Sequence, residues 1–320
     1  MGQGLGSVAS QGDAARADAF DKDPLDLGVV LEGGGFRGLF TAGVLDVWME
    51  HGILAADTVG VSAGAAFGCN YKSGQIGRAI RYNKRFCADP RYAGLRSLIT
   101  TGDLYNRDFA YHEVPFRLDP FDTAAFSASP MAFTVVCTDV DTGDAVYRPL
   151  ENGDERDIEW MRASASIPVV SRPVRIGGGR YLDGGVADPI PIDWMLRRGH
   201  ARNVAILTQP AGFRKEPVRA LGAIRRALRP YPRLVELIET RHERYNAILD
   251  RVARLERSGG LFVIRPSESV KVPAVVRDPE VLEHVYQVGR RDGAEALARL
   301  GRYLQDGAPS GVPGAAAALR

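Results

Sequence analysis

Short apolar runs recur along the chain, separated by longer stretches of mixed character. The clearest runs are LGVVL (27–31), TVGVS (58–62), AFTVVCT (132–138) and NVAILTQ (203–209). Brief, β-branched runs of this kind are typical of strands that are buried on both faces of a parallel sheet. The pattern therefore predicts a sheet built around these runs.

Between the runs, the apolar residues return at helical spacing. This spacing is present at 40–48, 76–86 and 158–165, the small residues at 63–68 begin a further helix, and 169–176 is predicted to be a strand or one arm of a hairpin. Strands that alternate with helices favour an α/β fold with a parallel or mixed sheet and helices on both of its faces.

The residue composition changes after about residue 212. Residues 213–305 are rich in arginine and in helix-forming residues, with one more predicted strand at 261–266 and one more helix at 279–304. We expect this part to form a mostly helical C-terminal region that either completes the core or is appended to it.

Residues 1–24 and 306–320 bracket the patterned part of the chain, and both are dominated by small residues. Segments that cannot bury enough apolar surface to offset the entropy lost on ordering remain disordered. We therefore predict two disordered tails. The first lacks the apolar core of a secretory signal, so none is expected.

Composition limits the class of protein. The chain has 320 residues, 45% of them hydrophobic, which suffices for a large core. Its 41 Lys and Arg residues nearly balance 39 Asp and Glu residues, so no nucleic-acid partner is expected. Three widely spaced cysteines indicate neither a disulfide framework nor a zinc site. No run approaches the ~18 apolar residues of a membrane span, and a cytoplasmic protein is expected.

A glycine-rich stretch, VVLEGGGFRG (29–38), includes the end of the first predicted strand. Gly33, Gly35 and Gly38 satisfy G-x-G-x-x-G, the fingerprint of a dinucleotide-binding turn. That fingerprint also needs an acidic residue at the end of the second strand, about 20 positions later. Asp57 has nearly this spacing, but it precedes the apolar run and stands at the wrong end of the strand. The loop is better explained as a site for another anion.

The carboxyl end of the second strand carries GVSAG (60–64) instead. This is G-x-S-x-G, the nucleophile elbow, in which a serine stands on a tight strand-to-helix turn between small residues. Gly60 and Gly64 flank Ser62, the candidate nucleophile. Because neighbouring parallel strands open into one crevice at their carboxyl ends, the glycine-rich loop and Ser62 are expected to meet there.

A serine that attacks an acyl carbonyl creates an oxyanion, and losing one backbone donor to that oxyanion costs roughly 3 kcal/mol. The glycine-rich loop offers consecutive N–H groups with few side chains to block the approach. Its candidate oxyanion-hole residues are Gly33, Gly34, Gly35, Phe36, Arg37 and Gly38. The Arg37 side chain would further favour negative charge, with a solvated or structural cation as the alternative.

The serine also needs a base. Asp183, in RYLDGGVADPIPI (180–192), precedes two glycines that allow a compact approach to the serine. A carboxylate accepts a serine proton directly when the hydrogen bond is short and the site is dry enough to raise its basicity. Asp183 is therefore the candidate general base.

A catalytic triad is the alternative to this pair. His200, His242 and His284 follow Asp183 in the chain order serine, acid, histidine of α/β-hydrolases. None of them lies in a glycine-rich or small-residue context, and all three resemble residues of helix surfaces or helix ends. The two histidines that precede Asp183 are equally ordinary.

Together these motifs resemble the patatin-like phospholipase family, which is similar in core design to cytosolic phospholipase A2. The glycine-rich loop, the G-x-S-x-G serine, the RASASIPVV segment (162–170) and the later D-G-G follow in the family's order over residues 27–210. Glu32 stands where family loops often begin with Asp, which is a mild departure.

The resemblance implies that residues 25–212 form a patatin-like catalytic domain with a three-layer α/β/α sheet. It implies hydrolysis of acyl esters, usually of lipids, by a dyad of Ser62 and Asp183 without histidine. It implies no obligatory metal or cofactor. The main hypothesis is a serine acyl hydrolase of the phospholipase A type, and the alternative is a catalytically silent lipid-binding or regulatory protein of the same fold.

The basic segment 214–233 interleaves seven cations with an apolar stripe of Val218, Leu221, Ile224 and Leu228. A basic amphipathic helix is typical of membrane-surface contact, so peripheral contact with the inner membrane surface is one interpretation. The other is a solvated face that packs on the sheet.

Two further features concern the substrate site. Residues 88–130 are long and irregular, as lids often are. Five aromatic residues either line an acyl site or fill the core, and the sequence does not separate these roles. They are Tyr71, Tyr82, Phe86, Tyr92 and Tyr105.

Overall fold

The computed structural model of the chain describes residues 23–305. The two predicted tails lie outside these residues, except for Asp23 and Pro24. Within the described part, eight strands form one sheet. They are β1 (Leu25–Leu31), β2 (Ala55–Val61), β3 (Ala132–Asp139), β4 (Ala145–Leu150), β5 (Val174–Ile176), β6 (Gly179–Asp183), β7 (Arg202–Ile206) and β8 (Phe262–Ile264).

Helices connect most of these strands. They are α1 (Gly38–Glu50), α2 (Ala63–Lys72), α3 (Arg78–Phe86), α4 (Leu95–Thr101), α5 (Thr123–Ala128), α6 (Glu155–Ser164), α7 (Ile192–Leu196), α8 (Leu221–Ala227), α9 (Pro232–Glu239), α10 (Arg241–Arg257) and α11 (Pro279–Gln305). Two 3-10 turns, Gly35–Arg37 and Gly184–Val186, and a π-helix, Asp108–Leu118, are also present. No helix in residues 23–305 is long and apolar enough to cross a membrane.

The sheet is mixed, with a parallel centre. Its strand order is β5-β6-β3-β2-β1-β7-β8, and β4 also pairs with β3. Strands β1, β2, β3, β7 and β8 pair in parallel, whereas β4, β5 and β6 pair antiparallel. The parallel centre contains the apolar runs from which strands were predicted, and such strands need cover on both faces.

The two faces of β1 lie in different cores. Leu27, Val29 and Leu31 belong to a cluster that includes residues of α1 and α11. Val30 belongs to a second cluster that includes residues of α7 and α10. Because side chains alternate across a strand, helices cover both faces of the sheet. The predicted three-layer α/β/α fold is confirmed.

The C-terminal region is helical apart from β8 and its connections, as predicted. β8 pairs with β7 in the sheet, and α11 crosses α1 at very close range. A Cβ atom on Gly43 would lie 2.3 Å from the Tyr286 carbonyl oxygen, and one on Gly289 would lie 2.1 Å from that of Phe40. Only glycine permits this approach. The domain boundary near residue 212 stays a prediction.

Two segments differ from their predicted structure. Residues 88–130, predicted to be irregular, contain α4, the π-helix and α5, which are too short to give a clear period. Of the strand predicted at 169–176, only its last three residues form one. The basic segment 214–233 is broken near Pro230 and Pro232, as the sequence indicates, because α8 ends at Ala227 and α9 begins at Pro232. Pro232 occupies the first turn of α9, where its missing N–H is tolerated.

Most of the apolar stripe in segment 214–233 packs against the protein. Val218, Ile224 and Leu228 join a cluster around Leu182. This stripe is therefore largely covered within the protein. The six arginines of the segment are exposed.

Candidate active site

Ser62 stands on a strained turn between β2 and α2. Its backbone has φ 56°, in the region that favours glycine and costs other residues ~1–3 kcal/mol. A Cβ atom on Gly60 would lie 2.5 Å from the Gly64 carbonyl oxygen, and one on Gly64 would lie 2.4 Å from that of Leu31. The turn therefore needs both glycines of the predicted elbow.

Asp183 ends β6, and the sheet register brings it beside Ser62. Val61 pairs with Val136 of β3, and Asp183 pairs with Cys137, the next residue of the same strand. The Ser62 hydroxyl donates a hydrogen bond of 2.6 Å to Oδ2 of Asp183. Both residues are buried, with 7% and 6% of their surface exposed. The structure thus joins the two residues that the sequence proposed as a pair.

The surroundings of Asp183 make it a stronger base than an ordinary carboxylate. Burial raises the pKa of Asp183, while the hydrogen bond from Ser62, the charge of Arg241 and the Gly185 N–H oppose that rise. The Gly185 N–H donates to Oδ1 at 2.7 Å, which leaves Oδ2 for the serine. A buried carboxylate of raised pKa suits direct proton transfer from a hydroxyl.

Ser164, at the end of α6, fixes the elbow. Its hydroxyl accepts a hydrogen bond of 2.9 Å from the Ser62 N–H and donates one of 2.6 Å to the Val136 carbonyl. It therefore ties the strained turn to β3. The sequence analysis did not single out Ser164, whose only signal is its place in the small-residue segment 162–170.

The glycine-rich loop opens onto the same cavity as Ser62. Within residues 23–305, the N–H groups of Gly33, Gly34, Gly35 and Phe36 have no hydrogen-bond partner. They are available to an oxyanion. The N–H of Arg37 instead donates to the Gly34 carbonyl at 3.2 Å, although the Arg37 side chain lines the cavity.

Gly38 has a different place from the one predicted. Its N–H donates to the Gly35 carbonyl as α1 begins, and Gly38 does not line the cavity. A Cβ atom on Gly38 would lie 2.6 Å from that of Ala63. The prediction is corrected accordingly: glycine at this position lets α1 and α2 pack closely, and it offers no free donor.

Ala63 offers a further donor that the sequence analysis missed. It is the first residue of α2 and lines the cavity. Its N–H has no partner among the residues that the structure describes, and the N-terminus of a helix favours negative charge. The elbow motif could have revealed it, because the residue after the nucleophile commonly donates to the oxyanion.

Glu32 anchors the glycine-rich loop. Its carboxylate accepts hydrogen bonds from the Thr208 N–H at 2.6 Å, the Thr208 hydroxyl at 3.2 Å and the Tyr245 hydroxyl. The Thr208 hydroxyl also lies 3.0 Å from the Gly33 carbonyl, its second acceptor. Burial raises the pKa of Glu32, and these hydrogen bonds oppose the rise. Sequence reasoning treated Glu32 only as a departure from a motif.

Ser62 lies in a cavity of about 340 Å³ with a mixed polar and apolar lining. The larger apolar and aromatic side chains in this lining are Phe67, Tyr82, Tyr92, Tyr105, Tyr111 and Val272. Arg37, Lys215 and Arg241 also line the cavity. Burial, with the charge of Arg241, lowers the pKa of Lys215 to about 8. The lining can hold an acyl chain and a polar or anionic group.

The five aromatic residues left open by the sequence divide between the two roles. Tyr82, Tyr92 and Tyr105 line the cavity. Tyr71 and Phe86 are buried in the core and do not. Their sequence contexts look alike, so only the fold separates them.

The histidines lie away from this site. All five are within the described part of the chain, and none lines the cavity. Their partners are Val47 for His51, Glu159 for His112, Asp26 and Asp57 for His200, Glu239 and Glu243 for His242, and Glu268 for His284. In residues 23–305 the Ser62 side chain bonds Asp183 alone, which disfavours the triad.

Comparison with protein families gives two matches. A family model described as "Patatin-like phospholipase" matches residues 29–196. A second model, described as "Domain of unknown function (DUF6363)", matches residues 231–305. The first match spans the glycine-rich loop, Ser62 and Asp183, and the second spans α9, α10, β8 and α11.

Curated relatives cover different shares of the chain. Uncharacterized protein YjjU of Escherichia coli K12 is 29% identical over 305 residues, which cover 89% of this chain and 81% of that protein. Uncharacterized NTE family protein Rv1063c of Mycobacterium tuberculosis is 26% identical over 51% of this chain and 44% of that protein. Lysophospholipase NTE1 of Meyerozyma guilliermondii is 24% identical over 56% of this chain and 12% of that protein. The chain thus spans less than half of the last two.

Several solved structures align with most of the chain. Human GIVD cytosolic phospholipase A2, in complex with methyl gamma-linolenyl fluorophosphonate, aligns with a TM-score of 0.45 and 10% identity, over 92% of this chain and 61% of that chain. VipD from Legionella pneumophila aligns with a TM-score of 0.43 and 14% identity, over 86% of this chain and 67% of that chain. Both alignments leave part of the solved chain uncovered.

Proposed function

The chain belongs to the patatin-like phospholipase family, and from this premise we propose that it is a serine acyl hydrolase that cleaves carboxylic esters of lipids. The observation that carries the proposal is the buried hydrogen bond between Ser62 and Asp183. It supports the proposal, because Ser62 shares a cavity with Asp183, whose pKa is raised by burial, and with backbone N–H groups. Acyl transfer requires these three parts.

Acylation begins when Asp183 takes the proton of Ser62 and the serine oxygen attacks the ester carbonyl carbon. The N–H groups of Gly34, Gly35 and Phe36 stabilise the oxyanion of the tetrahedral intermediate, with the Ala63 N–H as a further donor. The bond to the leaving alcohol then breaks, and the alcohol receives the proton from Asp183. The acyl group remains on Ser62 as an ester.

Deacylation repeats these steps with water. Asp183 takes a proton from a water molecule as the water oxygen attacks the acyl carbonyl. The same N–H groups stabilise the second oxyanion. The bond to Ser62 then breaks, the serine oxygen receives the proton from Asp183, and the fatty acid leaves. Asp183 thus serves as base and acid in turn, and no histidine is needed.

We further infer a reaction of the phospholipase A type. One relative, Lysophospholipase NTE1, is named for action on lysophospholipids. The aromatic lining of the cavity supports an acyl chain, and its cations support a polar or anionic headgroup. In this reaction, water cleaves the ester that joins a fatty acyl chain to the glycerol of a phospholipid.

The proposed location is the cytoplasm, with peripheral contact at the inner membrane surface. Cys69, Cys87 and Cys137 are free thiols, which fits a reducing compartment. Contact through the basic segment 214–233 would depend mainly on its exposed arginines, because most of its apolar stripe is packed. Arginines near an anionic lipid surface each contribute about 1 kcal/mol.

Hydrolysis of a soluble p-nitrophenyl ester and of a lysophospholipid tests the function. Ser62→Ala should abolish turnover, and Asp183→Asn should lower kcat by about 10²- to 10⁴-fold. Ser258→Ala, at an exposed serine, is the matched control and should match the wild type. Melting temperatures establish that each variant is folded.

Three outcomes would contradict the proposal in different ways. Full turnover by Ser62→Ala would remove the serine mechanism. Loss of turnover in His200→Ala or His284→Ala, with Asp183→Asn active, would establish a triad. Lipid binding without turnover, retained by Ser62→Ala, would establish the silent lipid-binding protein instead.

A further inference from the structure

The first turn of α10 is hydrogen-bonded to the 3-10 turn that follows Asp183, the candidate base. Arg241 Nε donates a hydrogen bond of 2.9 Å to the Gly185 carbonyl, and the Gly185 N–H donates to Asp183 at 2.7 Å. Arg244 donates to the next two carbonyls of this turn, at 2.8 and 2.9 Å. Two arginines of one helix therefore fix the backbone on which the Asp183 carboxylate rests.

The same end of α10 is also hydrogen-bonded to the oxyanion loop through Glu32. The Tyr245 hydroxyl donates to the Glu32 carboxylate. That carboxylate accepts the Thr208 N–H, and the Thr208 hydroxyl contacts the Gly33 carbonyl. Arg241 and Tyr245 are four positions apart, so they share one face of the helix. A single helix thus contacts both halves of the site.

This helix lies outside the match to the patatin-like phospholipase model and inside the match to the domain of unknown function. Arg241 also lines the cavity that contains Ser62. Within residues 23–305, no carboxylate lies within ion-pair distance of the Arg241 guanidinium. Its charge is therefore not neutralised by a direct partner and acts on the nearby Asp183 carboxylate.

We propose that α10 is part of the active site. Arg241 positions Asp183 and favours its ionised form, and Tyr245 positions the oxyanion loop through Glu32. The proposal rests on the function proposed above. The Tyr111 phenol and the Cys137 thiol interact electrostatically with Asp183. Burial raises the pKa of both, so neither carries charge near neutral pH. Arg37 and Lys215 line the same cavity, and Arg241 is the cation whose charge lowers the pKa of Asp183.

The pH dependence of kcat/KM on a soluble ester separates this role from a purely structural one. Asp183 acts only when ionised, so the rate falls as the pH drops through its pKa. Arg241→Gln removes the charge and should move this acid limb upward by about 1 pH unit. Arg241→Lys should keep the limb near its wild-type position. Arg257→Gln, at the exposed far end of α10, should change nothing.

Tyr245→Phe tests the loop half of the proposal, because it removes only the hydroxyl that holds Glu32. It should lower kcat about tenfold with little change in KM, as expected when a donor is misplaced. Arg241→Met is a second uncharged variant, should Arg241→Gln fold poorly. Melting temperatures accompany every variant.

The outcomes separate this proposal from the hydrolase itself. If Arg241→Gln does not shift the acid limb of the kcat/KM profile while Ser62 is still essential, only the proposed role of α10 is overturned. A pH-independent loss that is equal in the Gln and Lys variants, or an unchanged kcat in Tyr245→Phe, would overturn the same role. A wild type without turnover would overturn both proposals.

A separate observation concerns the surface beside the cavity. Six large apolar side chains are markedly exposed in the described chain, and four of them lie on two neighbouring segments. These four, the apolar rim, are Leu95 (70%), Ile99 (75%), Ile167 (38%) and Val169 (48%). Hydrogen bonds from the Gly94 N–H to Leu104 and from the Leu104 N–H to Val170 join the two segments.

The apolar rim reaches the cavity that contains Ser62. Ile167 and the adjacent Pro168 line that cavity. Val169 has φ 74°, which is rare for a β-branched residue and costs about 1–3 kcal/mol. The loop therefore accepts backbone strain while it keeps an apolar side chain exposed.

Cations accompany the apolar rim. Arg96 and Arg172 lie on the same two segments and are exposed. Neither forms an ion pair with a residue in 23–305. The carboxylate of the nearby Asp103 accepts the backbone N–H of Arg172. The surface thus combines exposed apolar side chains with unpaired guanidinium groups.

We propose that the apolar rim docks on the surface of an anionic lipid assembly, so that acyl esters enter the cavity directly from it. Apolar side chains that enter the headgroup region, together with arginines that attract anionic headgroups, provide interfacial binding. This proposal rests on the lipid substrate proposed above and assigns membrane contact to a different surface from segment 214–233.

Sedimentation with vesicles of phosphatidylcholine and phosphatidylglycerol tests the docking surface. The double variant Leu95→Ser, Ile99→Ser should bind at least about tenfold more weakly than the wild type. It should hydrolyse a soluble ester at the wild-type rate, because neither residue lines the cavity. Ile76→Ser is the matched control, since Ile76 is 41% exposed and lies beyond the far end of α2.

Three results would overturn the docking proposal. One is a wild type that does not bind the vesicles, and another is a double variant that binds as well as Ile76→Ser. The third is loss of binding in Arg226→Gln, Arg229→Gln with the double variant unaffected, which would assign the contact to segment 214–233. Vesicle binding does not depend on turnover, so its result is independent of whether the hydrolase proposal holds.

Discussion

The strained backbone conformation of Ser62 is held in place by the packing and hydrogen bonding of its neighbours. Gly60 and Gly64 allow the tight turn, and the Ser164 hydroxyl binds the Ser62 N–H. The glycines could be predicted from the sequence, since a local motif encodes the local geometry. Ser164 could not, because it lies 102 positions away and only the fold brings it close.

Gly64 provides a stringent test of this packing. In Gly64→Ala, the new Cβ would lie 2.4 Å from the Leu31 carbonyl oxygen, and the free energy of unfolding should fall by about 3 kcal/mol or more. Gly222→Ala is the matched control in α8, where a Cβ meets nothing within 4 Å. It should gain about 0.5–1 kcal/mol from helix propensity. Denaturant titration measures both, and equal stabilities would contradict the account.

At the scale of elements, the crossing of α1 and α11 encloses a carboxylate. Asp46 of α1 accepts hydrogen bonds from the Tyr286 hydroxyl at 2.6 Å and from the Gly77 N–H at 2.9 Å. Burial raises the pKa of Asp46 to about 6, and these bonds oppose the rise. The folded protein therefore binds a proton more tightly here than the unfolded chain does.

The sign of the resulting pH dependence follows from linkage. Between the unfolded pKa of 3.8 and the folded pKa of about 6, stability falls as the pH rises, because folding favours the protonated form. Relative to Asp46→Asn, the wild type should lose up to about 3 kcal/mol of unfolding free energy between about pH 4 and about pH 7. Parallel stability curves for the two proteins would contradict this assignment.

Some helices and strands could be predicted from the sequence, and others could not. The central strands and α11 were predicted because burial or length imposes a long, clear pattern. The helices within 88–130 were missed, since α4 and α5 span two turns or less and the π-helix contains Pro115. Pro230 and Pro232 indicate the break in segment 214–233 in the sequence, but the packing of its apolar residues around Leu182 depends on the fold.

At the scale of the whole molecule, the candidate site joins distant parts of the chain. Ser62 and Asp183 could be paired from the sequence, because each stands in a recognisable motif and both motifs follow strands. Arg241 and Tyr245 could not be found in this way, since an arginine-rich helix carries no local signal for a site. Their contacts with Gly185 and Glu32 become visible only in the folded chain.

The C-terminal region should be indispensable for folding. A chain that ends at Pro230 would lack β8, which pairs with β7, and α11, which covers α1. It should be insoluble or lack a cooperative thermal transition, because a sheet edge and a large apolar face would be exposed. A chain that ends at Gln305 is the control. A monodisperse shortened chain with a cooperative transition would show that residues 231–305 are an appendage.

The proposed mechanism depends on the activation of Ser62 by Asp183. A fluorophosphonate probe, followed by peptide mapping, tests it directly on the wild type, Ser62→Ala and Asp183→Asn. We expect labelling on Ser62 alone, abolished in Ser62→Ala, strongly slowed in Asp183→Asn, and slower as the pH falls through the raised pKa of Asp183. No labelling of the folded wild type, or labelling at an unchanged rate in Asp183→Asn, would show that Asp183 does not activate Ser62.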